Sequence, residues 1–270
     1  MRKIDPPHFD DDTLLNNLIY SRSPHAVRVE TRRQDILNRY KTYLRHEGNP
    51  WNVQEDPSFA PIKHNLEALY AAPPIVLDPI NALRNSIEGA CPMCGRSALG
   101  TLDHYLPQST YTEFAFFSKN LIPACDRCNN NRGVLAKGHQ PDERPVHPYF
   151  DLFTTDRILS VNITGDLRAP EFTPVAINLT GTQLATVQWH VDNVITPAGA
   201  PAFFDGMWGV LASEKRKLLH NRSSVQAVHE SLLWLAEYEA TQKRSLNAWE
   251  SAFYHGVAAN SQVVEYIFNI

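Results

Sequence analysis

Two kinds of side chain in this sequence could do chemistry as a group. The first is sulfur. The four cysteines, Cys91, Cys94, Cys125 and Cys128, form two C-x-x-C pairs with 30 residues between them, and no cysteine falls outside the pairs. In a reducing compartment such pairs argue for a metal rather than for disulfides. Zinc takes four thiolates in a tetrahedron, and each C-x-x-C turn supplies two of them from one knuckle. The second group is the adjacent pair Asp103-His104, in TLDHYLPQS (101–109), where an apolar, β-prone run ends and Pro107 follows. Neighbouring side chains of a strand point to opposite faces, so both reach one site only if the strand breaks into a loop there. A carboxylate binds hard cations through oxygen, and a neutral imidazole can take a proton from water.

The segments around these groups must position them. Residues 11–20 and 27–46 read as helices, with Val29, Ile36, Leu37, Tyr40, Tyr43 and Leu44 at helical spacing in the second. Prolines 50, 57, 61, 73, 74 and 79 make residues 47–80 a wrapped connector with one short helix near 62–71. Asp78 reads as an N-cap with Pro79 at the first helical position, opening a helix to about Glu88 that delivers the chain to Cys91. After Pro148 the pattern changes. Residues 157–164 and 171–178 read as strands joined by a turn at Gly165-Asp166, and 180–194 are ambiguous. From about 206 the pattern is helical: 207–220, 225–241, 245–259 and a short closing helix. The expected class is α+β, mainly helical. The expected organisation is a helical N-terminal region with a Pro-rich connector (1–88), a Cys-rich centre (89–150), and a C-terminal region of two strands followed by helices (151–270).

Composition narrows the function classes. Of the 270 residues 43% are hydrophobic and 20% charged, which allows a core without staples. The net charge is −4, so a polyanion partner needs a local basic surface. Such an excess lies in 22–45, where Arg22, Arg28, Arg32, Arg33, Arg39, Lys41 and Arg45 face only Glu30 and Asp35. It could follow a phosphate backbone, or it could be a solvated or protein-docking face. The N-terminus lacks the apolar stretch of a signal peptide, and no run approaches a membrane span. The expectation is a soluble, cytoplasmic protein, in which the N-x-S/T sequons at Asn162, Asn178 and Asn221 carry no meaning.

Residues 91–133, CPMCGRSALGTLDHYLPQSTYTEFAFFSKNLIPACDRCNNNRG, resemble the Cys-containing branch of the HNH nucleases. The carrying elements are Asp103-His104 with Pro107, Asn120-Leu121 before the second C-x-x-C, and Asn129 directly after Cys128. They cover about 45 of 270 residues. The resemblance implies a ββα-metal finger stapled by a structural Cys₄ zinc. Its first strand ends near Asp103-His104, its second runs around 116–122, and its helix starts near Cys125–Cys128. It implies His104 as general base, and Asp103 and Asn129 as ligands of a catalytic Mg²⁺ or Mn²⁺. Asn120 would tie down the loop carrying His104. Asn131 is the register alternative to Asn129, and Arg132 is either a DNA phosphate contact or a solvated side chain.

The reading that follows is a metal-dependent DNA endonuclease. Free-standing bacterial proteins of this kind serve defence against phage or plasmids, and some, such as the nuclease of Septu-type systems, act beside an ATPase. The competing readings are a non-catalytic zinc module that binds nucleic acid and a protein-interaction subunit on a dead nuclease scaffold. His139 looks ordinary. His147, in VHPYFD, either packs the finger onto the C-terminal part or stands beside the site. Trp234, Tyr238, Trp249, Phe253 and Tyr254 sit at helical spacings and read as core.

Overall fold

The computed structural model describes all residues except 84, 85, 87, 98 and 99. The first helix, α1 (Asp11–Leu18), opens on Asp10, whose carboxylate accepts from the Thr13 amide at 3.0 Å. Asp11, in its first turn, is buried because it accepts from the Ser118 amide and hydroxyl and from Lys119. The helix expected over 27–46 is two helices, α2 (Pro24–Glu30) and α3 (Arg33–Arg45). Pro24 sets the earlier start. The break at Thr31-Arg32 lets α2 turn onto the helix at Lys63–Ala71 while Ile36, Leu37, Tyr40 and Tyr43 of α3 face inward. The Arg32 guanidinium leaves the helix line to reach Ser58 and the face of Phe59.

The connector follows the expected pattern, with a tight turn at Pro57–Ile62 leading into α4 (Lys63–Ala71). At Gly48, φ is +69° and an added Cβ would lie 2.6 Å from the Tyr43 ring, so only glycine permits that turn. α5 (Asp78–Ala82) starts at Asp78-Pro79, and Asp78 is its first residue rather than its cap. The remainder of the helix expected to Glu88 includes residues 84, 85 and 87, outside the described ones.

The centre is an antiparallel ribbon, β1 (Thr101–His104) and β2 (Leu121–Ala124), with Asp103 opposite Ile122 and His104 opposite Leu121, followed by α6 (Asp126–Arg132). The second strand therefore lies later than 116–122. Phe114, Phe116 and Phe117 are buried in irregular turns instead, and Tyr40 stacks on Phe117 at 4.1 Å. Pro123 costs the ribbon no hydrogen bond on its free edge.

In the last part β3 (Leu159–Thr164) and β4 (Glu171–Ala176) pair antiparallel around the expected Gly165 turn. The ambiguous stretch is α7 (Gly181–His190) with a wide turn over Val191–Ile195. α8 (Ala200–Leu218), α9 (Val225–Lys243), α10 (Trp249–Ala259) and α11 (Ser261–Asn269) complete the chain. α10 lies close on β3, because a Cβ at Gly256 would meet Val161 at 2.5 Å.

One buried cluster includes residues from all three sequence regions. The Met1 amine donates to the Asn247 carbonyl, the Arg2 amide to Pro92, and Tyr43 contacts both Asn120 and His147. Asn247 joins the parts further. Its amide oxygen accepts from Ile158 and Leu159, and its nitrogen donates to Asp156. Among the described residues no helix is long and apolar enough to cross a membrane.

Candidate functional site

The cysteines come first because they fix the helix start. Cys125 precedes α6 in extended backbone (φ −78°, ψ 158°), and its sulfur accepts from the Cys128 amide at 3.4 Å. Cys91 Sγ accepts from the Cys125 amide, and Cys94 Sγ from the Arg96 amide, each at 3.4 Å. Amide donors of this kind favour thiolate over thiol. All four sulfurs lie within 4.8 Å of one another and are buried, with Cys94 and Cys125 at 3.7 Å. Zn–S bonds of about 2.3 Å in a tetrahedron require S···S edges of about 3.8 Å, so the cluster fits a structural zinc with no open position.

Side chains from the far end of the chain hold this knuckle by its carbonyls. Trp249 Nε1 donates to Cys94 O at 2.6 Å, and His190 Nε2 donates to Met93 O at 2.7 Å. His190 Nδ1 accepts from the Val146 amide at 3.0 Å, which fixes the neutral tautomer, and burial pushes its pKa down to about 3. Sequence reading missed both roles, since nothing local to His190 or Trp249 signals a knuckle more than 90 residues away.

Asp103 and His104 stand at the end of β1, on the ribbon that α6 packs against. His104 is half-buried, with its ring 4.5 Å from that of Tyr70. Its Nε2 is 2.8 Å from the Ala115 carbonyl. A carbonyl only accepts, so Nε2 carries the proton and Nδ1 keeps the lone pair. Burial lowers the pKa to about 4, against the raising effect of that hydrogen bond. The ring is therefore neutral at pH 7, the state a proton acceptor needs, although it is a weaker base than one poised near 7.

Asp103 is closed off. Both carboxylate oxygens accept from Arg132, at 2.6 and 2.9 Å, and the residue is 3% exposed. Burial pushes its carboxyl up, and Arg132 opposes the shift. The guanidinium also donates to the carbonyls of His104, Tyr105 and Leu135. Arg132 is thus neither a solvated side chain nor a phosphate contact in this structure. It is a buried clamp on residues 103–105, and the expected phosphate role is corrected accordingly. The carboxylate does not present the open oxygen that Mg²⁺ or Mn²⁺ requires while this pair is closed.

The asparagines separate clearly. Asn120 is fully buried; its oxygen accepts from the Leu106 amide at 2.7 Å and its nitrogen donates to the Leu106 and Phe114 carbonyls. It fastens the loop that follows His104. Asn129 is half-buried, about one turn before Arg132 on α6. Asn131 is exposed and donates to the Pro197 carbonyl at 2.7 Å, away from Asp103. His147 is buried in the packing. Its Nε2 is 3.0 Å from Tyr43 Oη, and its ring lies 4.0 Å from that of Tyr105. His139 is exposed.

Three of the seven basic side chains of 22–45 are held in ion pairs. Arg32 pairs with Asp35 at 2.6 Å, Arg33 with Glu30 at 3.2 Å, and Arg39 with the buried Glu113 at 2.7 Å. The aromatic expectation also needs correcting. Trp249, Phe253 and Tyr254 are core, but Trp234 is 52% and Tyr238 45% exposed.

No family model and no solved structure matches the chain. A stretch of 62 residues, 23% of the chain, is 34% identical to Protein ea31 of Escherichia phage lambda. The match covers 21% of that phage protein's length.

Proposed function

We propose that the chain is a metal-dependent endonuclease of the HNH kind that hydrolyses phosphodiester bonds of DNA. The observation that carries this reading is the ribbon-and-helix arrangement, with Asp103-His104 ending β1, Asn120 fastening the following loop, and a Cys₄ cluster at the start of α6. Zinc is the structural ion, held by Cys91, Cys94, Cys125 and Cys128.

In this reading His104 Nδ1 takes the proton of the attacking water, with the ring oriented by the Ala115 carbonyl. Asn120 holds the loop so that the orientation persists. A bound Mg²⁺ or Mn²⁺ would stabilise charge on the scissile phosphate and the leaving oxygen. The residues assigned to it, Asp103 and Asn129, serve it only after Arg132 releases the Asp103 carboxylate. A role in defence against phage or plasmids, beside an ATPase partner, rests on the resemblance of residues 91–133.

The closed Asp103–Arg132 pair specifically favours a second reading, a non-catalytic, zinc-stapled subunit that binds nucleic acid or protein. A plasmid-cleavage assay with Mg²⁺ or Mn²⁺, run on wild type and His104→Ala with zinc content checked in both, separates the two. Cleavage by wild type alone supports the nuclease. Equal cleavage by both proteins discards His104 as the base. No cleavage by either zinc-loaded protein, with and without the product of the neighbouring gene, leaves the subunit reading.

A further inference from the structure

We propose that the C-terminal helices carry a binding site for single-stranded nucleic acid, with phosphate on Lys215, Arg216 and Arg222 and bases on Trp234 and Tyr238. The site is separate from Asp103-His104 and independent of the nuclease reading.

The first observation is a pocket of about 500 Å³ between the end of α8, the start of α9 and the end of α11. Lys215, Arg216, Arg222 and Ser223 line it, over Ile267 and Phe268, and no acidic side chain does. Cations in the last turn of a helix are favoured by its dipole, which accounts for Lys215 and Arg216. It does not account for Arg222 and Ser223, which lie outside α8 and face the same space. Among the described residues Arg216 and Arg222 make no ion pair or hydrogen bond, and Lys215 donates only to the Ile267 carbonyl. Burial and the neighbouring Arg222 and Arg216 hold the Lys215 ammonium below its usual range. Three cationic side chains thus line one pocket, beside Ile270, in a chain of net charge −4. An anion relieves the repulsion among them.

The second observation is an exposed aromatic ledge beside the pocket. Trp234 and Tyr238, one turn apart on α9, stack at 5.2 Å with an interplanar angle of 16°. His220 meets Trp234 edge-on at 5.6 Å. The loop 219–224 borders both features. His220 packs on the ledge, Asn221 is tied to Ser231 of α9, and Arg222 with Ser223 turns to the pocket. Val228, in the pocket wall, precedes Trp234 and Tyr238 by about 9 and about 15 Å along the helix axis. A short run of extended strand spans that distance.

The pairing of features selects the ligand. A free phosphate would need only the basic pocket, and duplex DNA hides its base faces. An unpaired strand offers phosphates for the pocket and π-faces for the ledge, the combination that single-strand binders use. Of the nearby carboxylates, Glu214 pairs with Lys217 and Glu237 with Arg157, while Glu230 accepts from the neutral Gln226 amide and keeps its charge.

The test is fluorescence anisotropy with a short labelled oligothymidylate and no added magnesium or manganese, on the His104→Ala chain so that cleavage cannot intervene. R216E/R222E changes two exposed side chains without internal partners, so the fold stands. It should weaken binding at least tenfold and make the slope of log affinity against log salt shallower by about 1.4, the share of two phosphate contacts. Trp234→Ala should weaken binding roughly fivefold or more. Inorganic phosphate at millimolar concentration should compete only weakly. Absence of binding, affinity unchanged in both variants, or equal affinity for the corresponding duplex would overturn the proposal.

Discussion

Arg132 and Asp103 form a two-point ion pair between α6 and the end of β1, with Nη2 2.6 Å from Oδ1 and Nε 2.9 Å from Oδ2. The guanidinium is planar and its donors are fixed, so this contact sets the angle of helix to strand as well as their separation. Because the same side chain also holds the carbonyls of His104 and Tyr105, it ties the Asp103 side chain, before the His104 ring, to the backbone that follows it.

Replacing Arg132 should therefore destabilise strongly. Arg132→Ala leaves Asp103 buried without its partner, and such losses cost about 3–5 kcal/mol. Arg132→Lys keeps the charge but loses the fork, so a smaller loss is expected. Chemical denaturation of the zinc-loaded proteins measures both. An Arg132→Ala protein as stable as wild type would show that the pair contributes no net stability. Asp103→Asn in the Arg132→Ala background should recover part of the loss, because it removes the unpaired charge.

The sulfur cluster should bind one zinc ion per chain, and its removal should reach well beyond the ribbon. Trp249 and His190 hold the carbonyls of Cys94 and Met93, so the knuckle forms part of the C-terminal packing. Structural zinc contributes on the order of 10 kcal/mol to folding. Cys125→Ser or chelation should then lower helical circular dichroism and also expose tryptophan, seen as a red shift in emission. A chelated protein with unchanged near-UV dichroism would show that the C-terminal helices stand without the metal.

Asn120 should matter to stability as well as to the site. Its amide makes three hydrogen bonds to backbone and its oxygen also receives Tyr43 Oη at 3.2 Å, all in the core. Each such bond is worth about 1 kcal/mol, and stranded partners raise the cost. Asn120→Ala should destabilise by about 2–4 kcal/mol in a urea titration. Tyr43→Phe, which removes one hydroxyl from the same network, should cost less.

The sequence made part of this legible for identifiable reasons. The cysteine pairs, the Gly165 turn and the amphipathic spacing of α3 and α9 are local signals, and each element formed close to where its signal lies. The second strand, which the resemblance puts around 116–122, starts only at Leu121, because Phe117 packs on Tyr40 and Tyr43 in an irregular turn before it. Arg132 was read as a surface cation because its partner is 29 residues away and on another element. Trp234 and Tyr238 share helical spacing with core residues, and spacing alone does not say which edge of α9 other helices cover.

The buried histidines set an acid limit on stability. The Tyr149 amide donates to His147 Nδ1 at 3.2 Å, so the neutral ring carries its proton on Nε2 and donates it to Tyr43 Oη. Protonating Nδ1 would break the Tyr149 bond and place a charge in the core. Burial, with Arg144 nearby, accordingly holds the His147 pKa well below 6.5. The unfolded chain binds this proton near pH 6.5 and the folded chain does not. Stability from His147 is thus complete above that pH and falls as pH drops below it. Burial acts in the same direction on His104, lowered to about 4, and on His190, lowered to about 3. The melting temperature of the zinc-loaded protein should decline steadily from pH 7 to pH 5. In His147→Gln the amide can accept from Tyr149 and donate to Tyr43 without titrating, so the decline should be shallower. Parallel pH profiles for the two proteins would mean that His147 does not contribute, and that the acid sensitivity comes from the remaining histidines or from the zinc thiolates.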